Sequence, residues 1–136
     1  MKDRTFIDTN IWIYLYANDK KSSNVKQIIE SNFNNTVIST QVLNELYNVI
    51  ANKLKLTSKE NTKIILENLI KNFYVSMVDT DVILKAVDIS VKYQFSYFDS
   101  LMISSAISEN CTQLYSEDLH NGQIIENSLQ LINPFK

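Results

Sequence analysis

The stretch TFIDTNIWIYLYA, residues 5–17, places a short apolar strand directly before an apolar helix. Thr5-Phe6-Ile7 has the length and composition of a strand, and the run from Ile11 to Ala17 has the pattern of a helix. The same alternation continues along the chain, which predicts an α/β fold with a mostly parallel, five-stranded sheet. The other predicted strands cover 36–38, 74–78, 113–115 and 129–132, and the other predicted helices cover 23–31, 41–56, 59–72, 81–93 and 97–109.

Length and composition indicate one globular unit. The chain has 136 residues, 45% of them apolar, with one Gly and one Pro, so we expect a single domain over residues 1–136. The single cysteine, Cys111, excludes an internal disulfide and is expected to be a buried small hydrophobe. The longest apolar run is too short to span a bilayer, and an acid interrupts the start where a signal peptide would stay apolar. We therefore expect a cytoplasmic protein with no membrane segment.

The charges are distributed unevenly. The formal net charge is −2, which gives no general attraction to nucleic acid or to anionic membranes. Residues 93–135 contain no Lys or Arg and five acids, so the rest of the chain is positive. A polyanion would have to meet basic residues of the first two thirds, although each lysine taken singly is better explained as part of a solvated helix face. The candidate lysines are Lys20, Lys21, Lys53, Lys55 and Lys59.

Two acids follow predicted strands, and a third lies close to them in the predicted topology. Asp8 follows the strand in TFIDTN, and Asp118 follows the strand in LYSED. Asp99 lies in the first turn of the helix SYFDSLMISSAI, residues 96–107, which precedes that second strand. Ligands of open parallel sheets bind at the carboxyl ends of the strands. We therefore expect these carboxylates at one rim.

Helical periodicity adds a fourth acid and explains why the third is unusual. Asp99 shares the apolar stripe of its helix with Met102, Ile103 and Ala106, where an unpaired charge is costly. Glu45 lies at the border of the inner stripe of the predicted helix 41–56, where it can face along the edge of the core. The inner stripe of that helix is predicted to consist of Val42, Leu46, Val49, Ile50 and Lys53.

Each acid taken alone also has a structural explanation. Asp8 can cap the helix that follows it, and Glu45 can be an ordinary solvated helix residue. Asp99 and Ser96 have the spacing of a capping box, in which an acid stabilises the first helical turn. Asp118 can form an Asx turn.

The four acids together predict a metal site. Carboxylates that converge repel one another, and a hard divalent cation such as Mg²⁺ or Mn²⁺ relieves that repulsion by taking their oxygens as ligands. No His–Cys cluster favours zinc instead. A metal in such a site can activate water and stabilise charge at a phosphodiester, so phosphodiester hydrolysis is the natural chemistry.

With these acids the chain resembles the PIN-domain nucleases, and among them the VapC-like toxins of bacterial toxin–antitoxin pairs. The resemblance lies in FIDTNIWIY (6–14), VISTQVLNEL (37–46), YFDSLMISSAI (97–107) and LYSEDLHNGQIIENSLQLINPF (114–135). It implies a three-layer α/β/α sandwich, Mg²⁺- or Mn²⁺-dependent endonuclease action on RNA, a homodimer and inhibition by a cognate antitoxin. It also implies catalytic and metal-binding roles for Asp8, Glu45, Asp99 and Asp118, supported by Thr9, Asn10 and Ser116.

Within the predicted site, Asp8 and Asp99 are expected to be direct metal ligands. Glu45 and Asp118 are expected to bind metal through water, to hold a second ion or to accept a proton from the attacking water. Glu117 adjoins Asp118, and the Ser-x-Asp spacing favours Asp118 as the residue that faces the metal. The only histidine, His120, can contact substrate or be a solvated loop residue.

Three other classes of protein are alternatives to this interpretation. A receiver domain needs a lysine near its last strand, where this chain has none. A phosphatase with an aspartate nucleophile needs Asp-x-Asp after the first strand, whereas this chain reads Asp8-Thr9-Asn10. A catalytically silent PIN-like module that binds RNA or protein stays open as the alternative.

Overall fold

Strands and helices alternate along the chain in the computed structural model, which describes residues 3–136. Parallel pairing joins all neighbouring strands except the last two, which are antiparallel, and the sheet order is β3-β2-β1-β4-β6-β5. The strands are β1 (Arg4–Ile7), β2 (Thr36–Ser39), β3 (Tyr74–Ser76), β4 (Cys111–Tyr115), β5 (Ile124–Ile125) and β6 (Leu129–Ile132). The α-helices are α1 (Thr9–Tyr16), α2 (Ser22–Ser31), α3 (Thr40–Tyr47), α4 (Lys59–Asn72), α5 (Thr80–Tyr93) and α6 (Tyr97–Ser108).

The order of the strands determines where the helices lie. From β1 the chain moves outward to β2 and β3, and then returns across the sheet to β4 on the other side of β1. Since parallel crossovers are right-handed, the helices α1 to α4 lie on one face of the sheet and α5 and α6 lie on the other. The predicted α/β fold with a mostly parallel sheet is confirmed, and the layers are those of the expected sandwich.

The expected number of strands is wrong by one. Among the described residues the sheet has six strands, because Ile124–Ile125 pairs with the start of β6 as a short hairpin. The turn between them uses positive φ angles at Glu126 (51°) and Asn127 (57°). Turns of this kind normally carry Gly, and the absence of Gly here removed the sequence signal for the hairpin.

The predicted helix 41–56 also differs from the structure. It is α-helical only as far as Tyr47, and it continues as a π-helix over Asn48–Lys53, which we call the π segment. Lys53 is exposed and is not part of the inner stripe, whereas Val42, Leu46 and Ile50 are fully buried as predicted. A π-helix adds a residue to a turn, so a stripe drawn with regular α-helical spacing no longer holds at Lys53, the last residue of the π segment.

The core lies between the sheet and both helical layers. Fully buried side chains of β1, α1 and α6 contribute Phe6, Trp12 and Ile103. Helix α6 is buried over Ser100–Ala106, which confirms the expected burial of Met102, Ile103 and Ala106. Cys111 is also buried, as predicted, and its burial raises the pKa of the thiol to about 12. Across residues 3–136, no helix combines the length and the apolar character that crossing a membrane requires.

Candidate functional site

A cavity of about 470 Å³ lies at the carboxyl ends of β1 and β4. These two strands are neighbours, with Ile7 opposite Tyr115, and the chain departs from them in opposite directions across the sheet. That is the topological switch point at which open α/β sheets bind ligands. All of the predicted acids line this one cavity: Asp8, Glu45, Asp99 and Asp118.

Asp8 is placed by the transition from β1 to α1. Its backbone N–H donates to Tyr115 O at 3.0 Å, and its side chain caps α1 by accepting from the Thr9 N–H at 2.6 Å. Ser116 Oγ donates to the other carboxylate oxygen at 2.8 Å. Asp8 is therefore a helix cap, as the structural explanation required, and is also part of the cavity.

Burial gives Asp8 unusual electrostatics. Only 7% of the residue is exposed, and this desolvation raises the pKa of its carboxyl to about 7. The hydrogen bonds from Ser116 and Thr9 oppose the rise, while the negative charges of Glu45 and Asp99 add to it. The cavity therefore holds excess negative charge that its own residues do not balance.

Glu45 projects from α3 and is held by two neighbours. Thr9 Oγ1 donates to Glu45 Oε1 at 2.6 Å, and Gln41 Nε2 donates to Glu45 Oε2 at 3.1 Å. The same Gln41 nitrogen donates to the Phe98 carbonyl oxygen at 3.1 Å, which ties α3 to the start of α6. Sequence reasoning missed Gln41, although it lies four residues before Glu45 and therefore on the same helical face.

Asp118 and Glu117 point to different partners. Asn10 Nδ2 donates to Asp118 Oδ2 at 2.9 Å, and Asp118 lines the cavity. Glu117 instead forms an ion pair with Lys21 and accepts a hydrogen bond from the Tyr14 hydroxyl, which together lower the pKa of its carboxyl. Of these two adjacent acids, Asp118 therefore faces the cavity and Glu117 faces Lys21 and Tyr14.

Asp99 lies half-buried in the first turn of α6. Ser96 Oγ accepts from the Asp99 backbone N–H at 3.2 Å, which is one half of a capping box. The reciprocal bond from the Asp99 carboxylate is absent among the described residues, and that carboxylate has no other hydrogen bond or ion pair. The Asp99 carboxylate is therefore available to bind a cation in the cavity.

The supporting residues each hold one carboxylate. Thr9 holds Glu45, Asn10 holds Asp118, and Ser116 holds Asp8. Each of these three hydrogen bonds joins residues more than 30 positions apart in the sequence. Such preorganisation keeps acidic oxygens in place although they repel one another.

Ion pairs between distant parts of the chain neutralise most of the negative charge of the segment 93–135. Three acids of the segment 93–135 pair with bases from the rest of the chain: Arg4 with Glu109, Lys21 with Glu117, and Lys92 with Glu126. Asp99 and Asp118 are the two acids of that segment that have no basic partner within the described part of the chain, and both line the cavity. His120 is exposed and does not line it.

The donor chemistry of the cavity suits a hard divalent cation, because carboxylate oxygens predominate. Within residues 3–136, however, no three His, Cys, Asp or Glu side chains lie close enough to surround one ion directly. Mg²⁺ keeps several of its waters and often takes only one or two carboxylates, so a cavity of this width fits a partly hydrated ion.

The sheet and its acidic cavity define an α/β protein with a ligand site at the switch point. The PIN domain family matches residues 5–121, and the chain belongs to this family. This membership argues against the receiver-domain and phosphatase interpretations. No curated protein matches the sequence.

Solved structures share the fold at low sequence identity. A toxin–antitoxin complex from Klebsiella pneumoniae has a TM-score of 0.74 at 17% identity, covering 97% of this chain and 98% of that one. DNA-bound VapBC from Salmonella typhimurium has a TM-score of 0.73 at 18% identity, covering 96% and 97%. VapC20 from Mycobacterium tuberculosis, described as a sarcin–ricin loop cleaving toxin, has a TM-score of 0.68 at 18% identity, covering 81% and 86%.

Proposed function

We propose that this chain is a metal-dependent endoribonuclease and the toxin of a toxin–antitoxin pair. The observation that carries the proposal is the meeting of Asp8, Glu45, Asp99 and Asp118 in one cavity at the switch point of a PIN fold. The similar structures, which include a toxin–antitoxin complex and a sarcin–ricin loop cleaving toxin, support it. The reaction is hydrolysis of an RNA phosphodiester bond.

The cavity residues take distinct roles in this proposal. Asp8 and Asp99 would hold Mg²⁺ or Mn²⁺ directly, since Asp8 is buried and preorganised and the Asp99 carboxylate has no competing partner among the described residues. When bound, the ion supplies positive charge to the attacked phosphate and the leaving oxygen. Glu45, oriented by Thr9, lies where it can accept a proton from the attacking water.

Asp118 is exposed at the rim of the cavity and is anchored by Asn10. It contacts the ion through water or holds a second ion near the entering substrate. Its exposure makes it the most accessible of the four acids to an RNA strand. Glu117 and Lys21 pair with each other beside the site, and Tyr14, which lines the cavity, donates to Glu117.

The proposed protein partners are a cognate antitoxin and a second copy of the chain. Helix α5 carries Leu84, Val87 and Val91, which are 66%, 46% and 70% exposed. These residues are spaced three and four apart, so they form one apolar row on the helix. Such a row favours a protein interface, and we assign it to the homodimer. We also propose a cytoplasmic location, where the buried thiol of Cys111 stays reduced.

The test of the function is cleavage of structured RNA labelled at either end. We expect internal cuts in Mg²⁺ or Mn²⁺ and none in the presence of a chelator, because the carboxylates repel a phosphodiester when no cation is bound. Calorimetry with Mn²⁺ accompanies the assay. Uncut RNA together with no Mn²⁺ binding at millimolar metal would contradict the proposal and favour the silent module.

A second prediction compares the adjacent acids Asp118 and Glu117. Asp118→Asn is expected to lower cleavage by at least about tenfold, as loss of a residue that holds a hydrated metal does. Glu117→Gln is expected to leave cleavage within about twofold and to cost less than about 1 kcal/mol of stability, since its ion pair with Lys21 is partly open to solvent. Initial cleavage rates and thermal melts measure both effects, and the reverse pattern would assign the metal-facing role to Glu117.

A further inference from the structure

We infer that Lys53 contacts a phosphate of the bound RNA, and that the π segment is what places it at the cavity. This inference rests on the proposed function and adds a substrate-positioning residue to it. Lys53 lines the same cavity as the four acids. Only Glu45 is near it in the sequence.

The geometry of α3 shows why the π segment matters. Gln41, Glu45, Asn48 and Val49 line the cavity, with the spacings of three and four residues that mark one face of an α-helix. Continued α-helical spacing brings position 52 to the centre of that face and position 53 only to its border. In the structure Asn52 does not line the cavity, and its side chain donates to Asn48 Oδ1 at 3.3 Å instead.

The backbone hydrogen bonds account for this change of register. Leu54 N donates to Val49 O at 2.8 Å, five residues back, and Leu56 N donates to Ile50 O at 2.9 Å, six residues back. The wider turns carry one extra residue, so the cavity receives Lys53 in place of Asn52. π-Helical turns are rare and are found frequently at functional sites, which fits a turn that delivers a charged side chain.

The charge of Lys53 is available to a ligand. Among the residues that the structure describes, it is the only cationic side chain that lines the cavity. With the residues from 3 to 136 its ammonium group forms no ion pair or hydrogen bond, whereas Lys21 and Lys92 are both paired with glutamates. A phosphodiester that enters a cavity lined by carboxylates gains from a nearby ammonium, which lysine offers as a flexible point charge.

The test uses RNA binding, so that it does not depend on catalysis. Asp99→Asn serves as a background that leaves the RNA uncut, and Lys53→Gln is added to it. Lys63→Gln is the matched control, because Lys63 is exposed on α4, lies outside the cavity and pairs with no acid in the part of the chain that the structure describes. Fluorescence anisotropy of labelled RNA in Mg²⁺ is measured over a range of salt concentrations. Thermal melts verify that each variant is folded.

Loss of one phosphate contact is expected to flatten the dependence of log Kd on log salt by about 0.7 to 1 for Lys53→Gln. Lys63→Gln is expected to leave that slope unchanged, and Lys53→Arg is expected to retain it. In the chain with Asp99 intact, Lys53→Gln should raise KM for RNA and leave kcat nearly unchanged.

Identical slopes and affinities for Lys53→Gln and Lys63→Gln would overturn the inference. If the chain without substitutions cuts RNA while Lys53→Gln has an unchanged KM, the inference alone fails and the proposed function stands. If the chain without substitutions cuts no RNA in either metal, the failure lies with the proposed function.

Discussion

Asp99→Asn is expected to reduce metal-dependent RNA cleavage by at least about 100-fold, the upper end of what loss of a metal-orienting group costs. The carboxylate has no other partner in the described part of the fold, so its removal takes away a cation ligand and little else. The Ser96 cap survives, because it uses the Asp99 backbone N–H. Initial rates in Mg²⁺ and Mn²⁺, with a chelator blank, measure the effect.

The matched control is Asp81→Asn. Asp81 occupies the first turn of α5 as Asp99 occupies the first turn of α6, but it does not line the cavity. Asp81→Asn should cut RNA as fast as the unchanged chain. Equal cutting by Asp99→Asn would point to a contaminating ribonuclease and remove the catalytic hypothesis. A large loss of metal-free thermal stability in Asp99→Asn would instead support a structural role in the helical turn.

Asp8→Asn is expected to stabilise the metal-free protein at pH 8. Burial raises the pKa of Asp8 to about 7 from 3.8. Between those values the folded state holds a proton that the unfolded state has lost, so the free energy of unfolding falls as pH rises from about 4 to about 7. A shift of this size corresponds to at most about 4 kcal/mol, and removing the charge should raise Tm by on the order of 10 °C.

The comparison at pH 5 is the internal control for this prediction. There the folded protein keeps Asp8 protonated while most unfolded chains have lost that proton, so only the first part of the fall has occurred, and Asp8→Asn should gain only about a third of the Tm increase that it gains at pH 8. Asparagine can still accept the N–H of Thr9, so the cap of α1 is retained. Asp79→Asn is the matched variant, since Asp79 caps α5 from an exposed position, and it should show no comparable rise at pH 8.

Added metal should reverse the order at pH 8. Mg²⁺ or Mn²⁺ at millimolar concentration stabilises the unchanged chain by binding its folded state, and Asp8→Asn should gain little. Differential scanning calorimetry with metal and with a chelator measures both effects. A lower metal-free Tm for Asp8→Asn at pH 8 would show that the carboxylate is worth more as a hydrogen-bond acceptor than it costs as a buried charge.

Local patterns in the sequence were sufficient for most of the secondary structure and for the choice of acids. The helix predicted over 59–72 matches α4, and the acids quoted from TFIDTN and LYSED follow β1 and β4. These features depend on periodicity and on residues that start or stop an element, which act over a few positions. The hairpin of β5 and the π segment were not predicted from the sequence, because neither carries a distinctive local residue pattern.

The sequence by itself determined an α/β chain with carboxylates at the carboxyl ends of its strands, since strand ends and helix starts are local properties. Only the tertiary structure decided which neighbours those carboxylates have. It joined Thr9 to Glu45 and paired Glu117 with Lys21, and it left the Asp99 carboxylate without a partner among residues 3–136. Contacts between residues far apart in the chain depend on packing and on the direction of each side chain, and neither is encoded in a short stretch of residues.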